Sequence, residues 1–289
     1  MTWLITGGSG QLGFALQREL NGQNIDFFAP SSNDLDITNS TLVSDVIENI
    51  NPRIVINAAA WTDVEAAETE SFAAFKVNAL GARNLAASAK RVGSTFLHIS
   101  SDYVFSGTRS MPWQESSEAN PISVYGVSKS EGETLVKMEY PEKSFIVRTA
   151  WLYSESSNNF ARKIARLAMK DSATVKVVND QIGQPTYAGD LALKIIDLIN
   201  TEAPFGLYHG TNSGEASWYE FAVEIFRYCD ADINRIIPIK SNEFESKVQR
   251  PKYSVLGHSN WHGTKCGEMR DWKIALGCAI PEIIRSVKE

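Results

Sequence analysis

A glycine-rich segment follows the first apolar run of this chain, within the sequence TWLITGGSGQLGFALQREL. Its glycines Gly7, Gly10 and Gly13 are spaced G-x-x-G-x-x-G between a predicted first strand and a predicted first helix. Glycines at such a junction let the backbone turn tightly, bring a pyrophosphate close to the amides of the helix N-terminus, and let the helix pack on the sheet. The segment could be an ordinary turn, but its place after the opening strand favours dinucleotide binding.

Strand-like and helix-like runs alternate through the first half of the chain, which is the pattern of successive βαβ units and a parallel sheet. Five strands are predicted, in TWLITG, IDFFAPS, RIVINAAA, STFLHISS and SFIVRTAWLY. Thr38 is the predicted cap of a helix that Pro52 stops. After Tyr153 the alternation loosens, with short strands such as TVKVVND and GLYHG. Three helices are predicted in this half, near residues 158–169, 187–200 and 217–229.

The order of these elements predicts the fold class. We expect an α/β fold with a Rossmann-type doubly wound parallel sheet and a smaller C-terminal substrate-binding domain. Residues 1–152 would form the dinucleotide-binding domain. Residues 153–289 would mainly form the substrate-binding domain, with later segments returning to the sheet.

Composition and charge disfavour several classes of protein. The chain has 28 Lys and Arg against 34 Asp and Glu and no basic run, so nucleic acid is not expected as a partner. The sequence has neither a long apolar run nor a signal-peptide pattern, which disfavours a membrane span and secretion. Cys229, Cys266 and Cys278 form no CxxC pair, and the four histidines show no ligand spacing. We therefore expect no metal site and a cytoplasmic protein.

The end of the second strand normally decides between the two nicotinamide dinucleotides, because an acidic residue there holds a 2′-hydroxyl and repels a 2′-phosphate. Ser31 and Ser32 stand in this place, without a carboxylate or an arginine. NADPH is therefore favoured, with NADH tolerated. Asp36 and Ile37 could flank the adenine, although Asp36 could equally be a turn or capping residue.

The stretch NPISVYGVSKSEGE places Tyr125 four residues before Lys129. Residues four apart project from one side of a helix, and Asn120 before Pro121 is the predicted cap of that helix. A free tyrosine has a pKa near ~10, and a neighbouring ammonium is expected to lower it. Although an isolated Y-x-x-x-K is usually a surface helix turn, this pair predicts that Tyr125 gives a proton during hydride transfer while Lys129 holds the nicotinamide ribose.

A hydroxyl that could polarise a ketone is present in the stretch HISSDYVF. Ser101 follows an apolar strand at its carboxyl end, which is the edge where parallel sheets place their sites. Ser100 is the neighbour that could take this role instead. The glycine loop, NAAA, SSDYVF and the Tyr/Lys pair occur in the order that a hydride-transfer site requires. His98, on the same strand, is expected to be a core residue.

These motifs resemble those of the extended short-chain dehydrogenase/reductases, and within them those of the dTDP-4-dehydrorhamnose reductase family. The resemblance covers nearly the whole chain and rests on GGSGQLG, VINAAAWTDVEAAE, SSDYVFSG, PISVYGVSKSEGE, VRTAWLY, NNFARK, DQIGQPT, GLYHGT and RPKYSVL. It implies the reduction of the 4-keto group of dTDP-4-dehydro-β-L-rhamnose to dTDP-L-rhamnose with NADPH, for cell-surface polysaccharides.

The resemblance also implies roles for individual residues. Tyr125, Lys129 and Ser101 would be catalytic, and serine keeps the hydroxyl of the threonine that the family commonly has at this position. The substrate would contact Ser101, Asp102, Trp151, Asn159 and Arg250. The cofactor would contact Gly7, Gly10, Gln11, Leu12, Gly13, Ser31, Asp36, Ile37, Ala60, Trp61, Thr62, Tyr125 and Lys129.

Two of these assignments have alternatives, and a third position departs from the family. Trp151 could be a core aromatic, or its apolar face and edge donor could lie beside a sugar ring. Arg250 could be a solvated charge, or its guanidinium could bind the diphosphate of a nucleotide sugar. Some family members have a metal-binding glutamate soon after the glycine loop, where Ala15 stands here. We therefore expect a monomer or a metal-independent homodimer.

Two other functions remain open at this point. A non-catalytic regulatory subunit is one, because the regulatory subunit of methionine adenosyltransferase resembles the same family. A reductase or epimerase of another nucleotide sugar is the other. The intact Ser101, Tyr125 and Lys129 favour chemistry over regulation.

Overall fold

A sheet of six parallel strands forms the centre of the protein, in a computed structural model that describes residues 2–170 and 174–288. All of its strand pairs are parallel. β2 lies on one side of β1 and β3 on the other, so the chain changes direction across the sheet at β1. α/β sheets bind ligands at such a point. In spatial order the strands are β2 (Phe27–Phe28), β1 (Trp3–Thr6), β3 (Ile54–Asn57), β4 (Thr95–Ser101), β5 (Ser144–Thr149) and β10 (Gly206–His209).

Helices cover both faces of this sheet, which confirms the predicted Rossmann-type α/β fold. A π-helical segment, Lys76–Gly81, joins two of them. The helices are α1 (Gln11–Gly22), α2 (Ser40–Ile50), α3 (Val64–Thr69), α4 (Ser71–Phe75), α5 (Ala82–Val92), α6 (Val124–Glu139), α7 (Phe160–Ala168), α8 (Ala188–Asn200), α9 (Trp218–Tyr228) and α10 (Trp272–Lys288). Within the described ranges, no helix is both long and apolar enough to cross a bilayer.

Three apolar clusters hold these layers together by removing hydrocarbon surface from water. The first packs α1 and α8 on one face of the sheet, and the second packs α2 and α5 on the other. The third joins α7, α9 and α10 away from the sheet. Short strand pairs connect this region: β6 (Leu152–Tyr153) with β9 (Thr186–Tyr187), β7 (Val175–Val178) with β12 (Ile236–Ile239), and β8 (Ile182–Gly183) with β11 (Ala216–Ser217).

A buried ion pair ties α6 to β5. The Arg148 guanidinium donates to both carboxylate oxygens of Glu133 at 2.7 Å, and each side chain is 3% exposed. Arg148 also lies over the Phe105 ring, 4.8 Å from its centroid. Two parallel charge-assisted hydrogen bonds fix both distance and orientation, so this pair sets the position of α6 against the sheet.

Both predicted helix caps are wrong. α2 is capped by Asn39, whose Oδ1 accepts from the Leu42 amide at 3.1 Å. Thr38 precedes the cap in a turn, where its amide donates to Asp36 Oδ1 at 2.9 Å. α6 is capped by Ser123 rather than Asn120. The Asn120 amide donates to the Val104 carbonyl at 2.9 Å, which keeps this residue outside the helix.

The predicted strand SFIVRTAWLY is also interrupted. β5 ends at Thr149, and Trp151 has a positive φ of 44° before β6 begins at Leu152. A strand cannot continue through a residue with a left-handed backbone. The predicted strand GLYHG, by contrast, joins the central sheet beside β5 as β10.

The close approach of the glycine loop to α1 gives a stability prediction. A Cβ on Gly13 would lie 2.2 Å from the Gly7 carbonyl oxygen and 2.7 Å from Gly8 Cα, and these backbone atoms cannot move aside. We expect Gly13→Ala to lower the free energy of unfolding by about 3 kcal/mol or more, at the high end for overpacking.

Gly22, at the other end of α1, is the matched control. Among the described residues outside its own turn of helix, no atom lies within 4 Å of its Cβ position, so Gly22→Ala should raise the free energy of unfolding by up to ~1 kcal/mol. Urea unfolding of both variants measures the difference. Equal effects of the two substitutions would contradict the packing argument.

Candidate active site

A cavity of about 690 Å³ lies at the carboxyl ends of the central strands, at the point where the strand order reverses. Residues 6–12 line it after β1 and residues 58–60 after β3. Residues 99–103 continue the wall from β4, and residues 149–152 from β5. The cavity therefore joins the glycine loop, the NAAA segment, the SSDY segment and the RTAWL segment, which are distant in sequence.

The glycine loop forms one end of this cavity. Gly7 has a φ of +73°, and a Cβ there would lie 2.6 Å from the backbone of Ala58, so only glycine fits this turn. Gly10 precedes α1 and has no side chain to cover the first amides of the helix. Gln11 and Leu12 line the cavity, whereas Gly13 lies behind the loop and packs against it. This arrangement is a helix N-terminus open to an anion.

The next part of the wall follows β2. Ser32, Asp36 and Ile37 line the cavity, whereas Ser31 lies outside it and its hydroxyl donates to Asp34 Oδ2 at 2.6 Å. Hydrogen bonds from Thr38 lower the pKa of Asp36, which therefore carries a negative charge at neutral pH. Asp36 stabilises a turn, as one of its two alternatives expected, and it also lines the cavity.

The loop after β3 is held by a residue that sequence reasoning missed. Ala60 and Thr62 line the cavity, but Trp61 does not. The Trp61 amide donates to Asn78 Oδ1 at 2.8 Å, and Asn78 Nδ2 donates to the Trp61 carbonyl at 3.1 Å and to Ser128 Oγ at 2.9 Å. Asn78 is 1% exposed and lies in the π-helical segment. The sequence signal for this role was a single asparagine among the mostly apolar residues of FKVNAL.

Tyr125 and Lys129 lie on one helix, α6, and both line the cavity. The Lys129 ammonium is 2% exposed and donates to the Ile99 carbonyl oxygen at 2.6 Å. Burial lowers the pKa of Lys129 to about 8, although the nearby Glu133 carboxylate works in the opposite direction. The buried lysine can therefore change its charge in the mildly alkaline range.

The expected lowering of the Tyr125 pKa is wrong in direction. Burial raises the pKa of Tyr125 above its usual value, the Asp102 charge adds to this, and a hydrogen bond with Ser101 only partly opposes it. The Lys129 ammonium is directed to the Ile99 carbonyl. The desolvation free energy of a buried phenolate is larger than the stabilisation that its neighbours provide. Tyr125 therefore keeps its proton throughout the neutral range and is suited to donate it.

Ser101 and Asp102 adjoin Tyr125 at the end of β4. The Ser101 hydroxyl donates to Asp102 Oδ1 at 2.9 Å and accepts from the Tyr103 amide at 3.2 Å, which fixes its orientation. Asp102 is 2% exposed, and burial raises its pKa to about 6. A hydroxyl, a phenol and a carboxyl group are thus brought together from residues that are 24 positions apart or fewer.

The residues expected to bind a sugar nucleotide do not all line the cavity. Trp151 lines the cavity, and so does Asn158, whereas Asn159 caps α7 and accepts from the Arg162 amide at 3.1 Å. Arg250 lies outside the cavity lining. Its guanidinium donates to the hydroxyl of Tyr103, which lines the cavity, at 3.2 Å, and to Glu65 Oε1 at 2.9 Å.

Two further residues concern metal binding and alternative chemistry. Ala15 is 3% exposed within the cluster that packs α1 on α8. His98 is fully buried, bonded through Nδ1 to the Asn57 amide at 3.1 Å, and its pKa is lowered well below the usual value by burial. In the part of the chain that the structure describes, no three His, Cys, Asp or Glu side chains are grouped to hold a metal ion.

Known proteins with similar sequences identify the family of this chain. Residues 1–284 match the family model described as the RmlD substrate binding domain. A dTDP-4-keto-6-deoxy-D-glucose reductase of Streptomyces niveus is 42% identical over 279 residues, which are 96% of this chain and 96% of that protein.

Two solved structures are similar over nearly the whole chain. A dTDP-4-dehydrorhamnose reductase of Clostridium acetobutylicum is 43% identical with a TM-score of 0.93, covering 97% of this chain and 99% of that one. A dTDP-4-dehydrorhamnose reductase of Bacillus anthracis, solved in complex with NADP, is 41% identical with a TM-score of 0.93 and the same coverage.

The pKa of Lys129 gives a prediction about pH. If its ammonium holds the dinucleotide, affinity for NADPH should be constant below the pKa of about 8. Above that pH the ammonium is lost, and the dissociation constant should rise by up to about tenfold per pH unit. Fluorescence titration with NADPH from pH 6 to 10 measures this profile.

Two variants serve as controls for that profile. Lys129→Met should bind NADPH more weakly and show no step. Lys137→Met, which removes an exposed lysine from the same helix, should keep the wild-type profile. A step that persists in Lys129→Met would assign the titration to another group.

Proposed function

The chain belongs to the family described as the RmlD substrate binding domain, and we propose that it uses NADPH to reduce the 4-keto group of dTDP-4-dehydro-β-L-rhamnose, giving dTDP-L-rhamnose. One observation carries this proposal. Tyr125, Lys129 and the Ser101 hydroxyl meet in a cavity that begins at an open helix N-terminus. A proton donor beside a dinucleotide site is what reduction of a ketone by hydride requires.

The residues at the glycine loop fit a dinucleotide. The pyrophosphate would lie at the amides of Gly10, Gln11 and Leu12, since a helix N-terminus favours negative charge. The adenine side of the cofactor would meet Asp36 and Ile37. When bound, NADPH supplies the hydride, and the 2′-phosphate would lie near Ser32.

The nicotinamide ribose would meet Lys129. Its ammonium has three donors, and one of them is used by the Ile99 carbonyl. The remaining donors can bind ribose hydroxyls. The same positive charge stabilises the phenolate that is left when Tyr125 has given up its proton, and this makes the raised pKa of Tyr125 compatible with proton transfer.

The ketone oxygen becomes negatively charged as the hydride arrives, and donors placed at that oxygen lower the barrier. Tyr125 would give its proton to this oxygen. The Ser101 hydroxyl would donate a hydrogen bond to it by turning from the Asp102 carboxylate. Asp102 would then be free to accept from a hydroxyl group of the sugar.

The nucleotide portion of the substrate would extend toward Arg250. This side chain is 26% exposed, and its partner Glu65 is 43% exposed. An ion pair at this exposure contributes little to stability, so a diphosphate can replace Glu65 at low cost. Asn159 would act through the loop that it holds before α7, rather than from the cavity wall.

Another 4-keto-6-deoxy sugar nucleotide is the second candidate substrate. It is favoured by the name of the Streptomyces niveus relative, a dTDP-4-keto-6-deoxy-D-glucose reductase. A purely regulatory role is less well supported, because the three proposed catalytic side chains are all present in the cavity. We further propose that the protein works in the cytoplasm, which suits its three free cysteines.

The test of this function is a stoichiometric assay. Purified protein, NADPH and dTDP-4-dehydro-β-L-rhamnose should consume one NADPH for each dTDP-L-rhamnose formed, without a flavin or a second protein. Oxidation only with dTDP-4-keto-6-deoxy-D-glucose would change the substrate and keep the mechanism. Tight NADPH binding without oxidation of any 4-keto sugar nucleotide would favour the regulatory subunit.

The role of the proton donor gives a prediction about kcat. Tyr125→Phe should lower kcat by roughly 10²–10⁴-fold, the range for a positioned general acid. It should leave the dissociation constant of NADPH nearly unchanged, because the ring remains in place. Steady-state kinetics and NADPH titration measure the two effects, and wild-type turnover would remove Tyr125 from the mechanism.

The buried Ala15 gives a prediction about metal and assembly. A methyl group inside the α1–α8 contact cannot ligate a cation, so we expect a monomer or a metal-independent homodimer. Exhaustive chelation should change neither turnover nor the molar mass measured by light scattering. A mass that halves with chelator and recovers with magnesium would show that a metal interface exists elsewhere.

A further inference from the structure

Trp151 is held in an unusual backbone conformation at the sugar side of the cavity. Its φ of 44° lies in the left-handed region, which a bulky side chain rarely adopts and which costs about 1–3 kcal/mol. Its carbonyl accepts from the Thr186 amide at 3.2 Å, at the start of the β6–β9 pair. Strain of this kind persists only where surrounding contacts impose it, so the position of this indole is determined by its neighbours.

One neighbour is the indole of Trp218. The two rings are stacked with centroids 3.5 Å apart and an interplanar angle of 7°. Trp218 is the first residue of α9, where Ser217 and Glu220 form a capping box that fixes the start of the helix. The Phe160 ring packs against Trp218 with centroids 4.6 Å apart. Trp218 is therefore itself well fixed.

The other neighbour is the backbone of Gly183. A Cβ on Gly183 would lie 2.5 Å from Trp151 Cε2 and 2.7 Å from both Cζ2 and Nε1. A point that is nearest to Cε2 lies over the ring rather than beyond its edge. Because Trp218 already overlies one face, Gly183 lies against the opposite face.

The β8–β11 pair brings these two neighbours together. Ser217 pairs with Ile182 and Ala216 with Gly183 in antiparallel register. Trp218 follows Ser217 directly, so one short strand pair supplies both sides of the contact. We call Trp218 and Gly183 the indole clamp.

We propose that the indole clamp makes Trp151 meet the sugar with its edge, and that Trp218 is a positioning residue for the ketone. This inference rests on the function proposed above. It differs from the expectation that an apolar face of Trp151 lies beside the sugar, because Trp218 stacks on one face and Gly183 lies over the other face beside Cε2. An edge offers ring C–H groups and one N–H donor, which can bind a sugar hydroxyl.

The consequence for catalysis is geometric. The sugar ring must place its ketone carbon close to the hydride donor, and a displacement of 1 Å can cost about 10²-fold in rate. A strained residue such as Trp151 would move if one side of the clamp were removed. The clamp therefore affects turnover of the sugar and leaves the dinucleotide site unchanged.

Removing one side of the clamp is the first test. In Trp218→Leu, kcat with the 4-keto sugar nucleotide should fall about 10–100-fold, while the dissociation constant of NADPH stays within about twofold. Trp218→Phe, which keeps a flat ring, should retain most of the activity. The exciton signal of two stacked indoles in circular dichroism should be lost in both variants.

Gly183→Ala tests the clamp from the other side. The glycine has no positive φ that would exclude alanine, so the added methyl group acts only by displacing Trp151. We expect a loss of kcat similar to that of Trp218→Leu, and a weaker exciton signal although both indoles are present.

Trp113→Leu is the matched control for the loss of a buried indole. Trp113 is 4% exposed and stacks on Phe105 outside the cavity lining, with centroids 4.5 Å apart. This variant should lower the melting temperature but keep the kcat of the folded protein. A merely structural role of Trp218 would give the same result as this control.

Other results would overturn the inference. A lower KM or a higher kcat in Trp218→Leu would mean that Trp218 covers the face on which the sugar stacks. Unchanged kinetics in both clamp variants would also overturn it. If the wild-type protein oxidises no NADPH with any sugar, the proposed function fails, and an unchanged exciton signal in Gly183→Ala would then reject the clamp itself.

Discussion

The position of α6 against the sheet is the constraint on which the candidate site depends. Glu133 and Arg148 fix it through two parallel hydrogen bonds in a nearly solvent-free interior. Tyr125, Lys129 and Glu133 are spaced four residues apart and lie on one face of the helix. Fixing the last of them also fixes the other two, so that Lys129 reaches the end of β4 and Tyr125 adjoins Ser101. The desolvation of two buried charges offsets much of their mutual attraction. The Glu133–Arg148 pair therefore orients α6 more than it stabilises the fold.

Burial also determines which groups in the cavity carry protons. It lowers the pKa of Lys129 to about 8 and raises that of Asp102 to about 6, so both groups titrate closer to neutral pH than they would in water. It raises the pKa of Tyr125 further above neutral pH. Tyr125 is therefore protonated at neutral pH, but loss of its proton is unfavourable. The positive charge of Lys129 matters most when the phenolate forms.

The second half of the chain supplies no proposed proton donor, but it supplies the proposed substrate contacts Trp151 and Arg250 and the strands that hold Trp151. β10 returns to the central sheet beside β5, while the β8–β11 pair carries the residues that hold Trp151. The glycine loop and the Tyr/Lys helix are features that many dinucleotide-dependent proteins need. In the proposed substrate complex, the Trp151 indole and its supports would face the part of the ligand that differs between family members, whose names include two different 4-keto sugars. Differences in substrate are thus expected around Trp151 more than around Tyr125.

The sequence by itself determined the layered α/β fold, because strand and helix periodicities and a glycine turn are local properties of the chain. Gly7, Gly10 and the Tyr125–Lys129 spacing carry that information directly, and the family resemblance follows from the same stretches. Helix caps were less predictable, since several polar residues precede each helix and the structure uses Asn39 for α2 and Ser123 for α6. Three features were decided only by the tertiary structure: the role of Asn78 in holding the loop at Trp61, the direction of the Tyr125 pKa, and the contacts of Trp151 with Trp218 and Gly183. Each depends on groups that are far apart in sequence, and their distances exist only after the chain has folded.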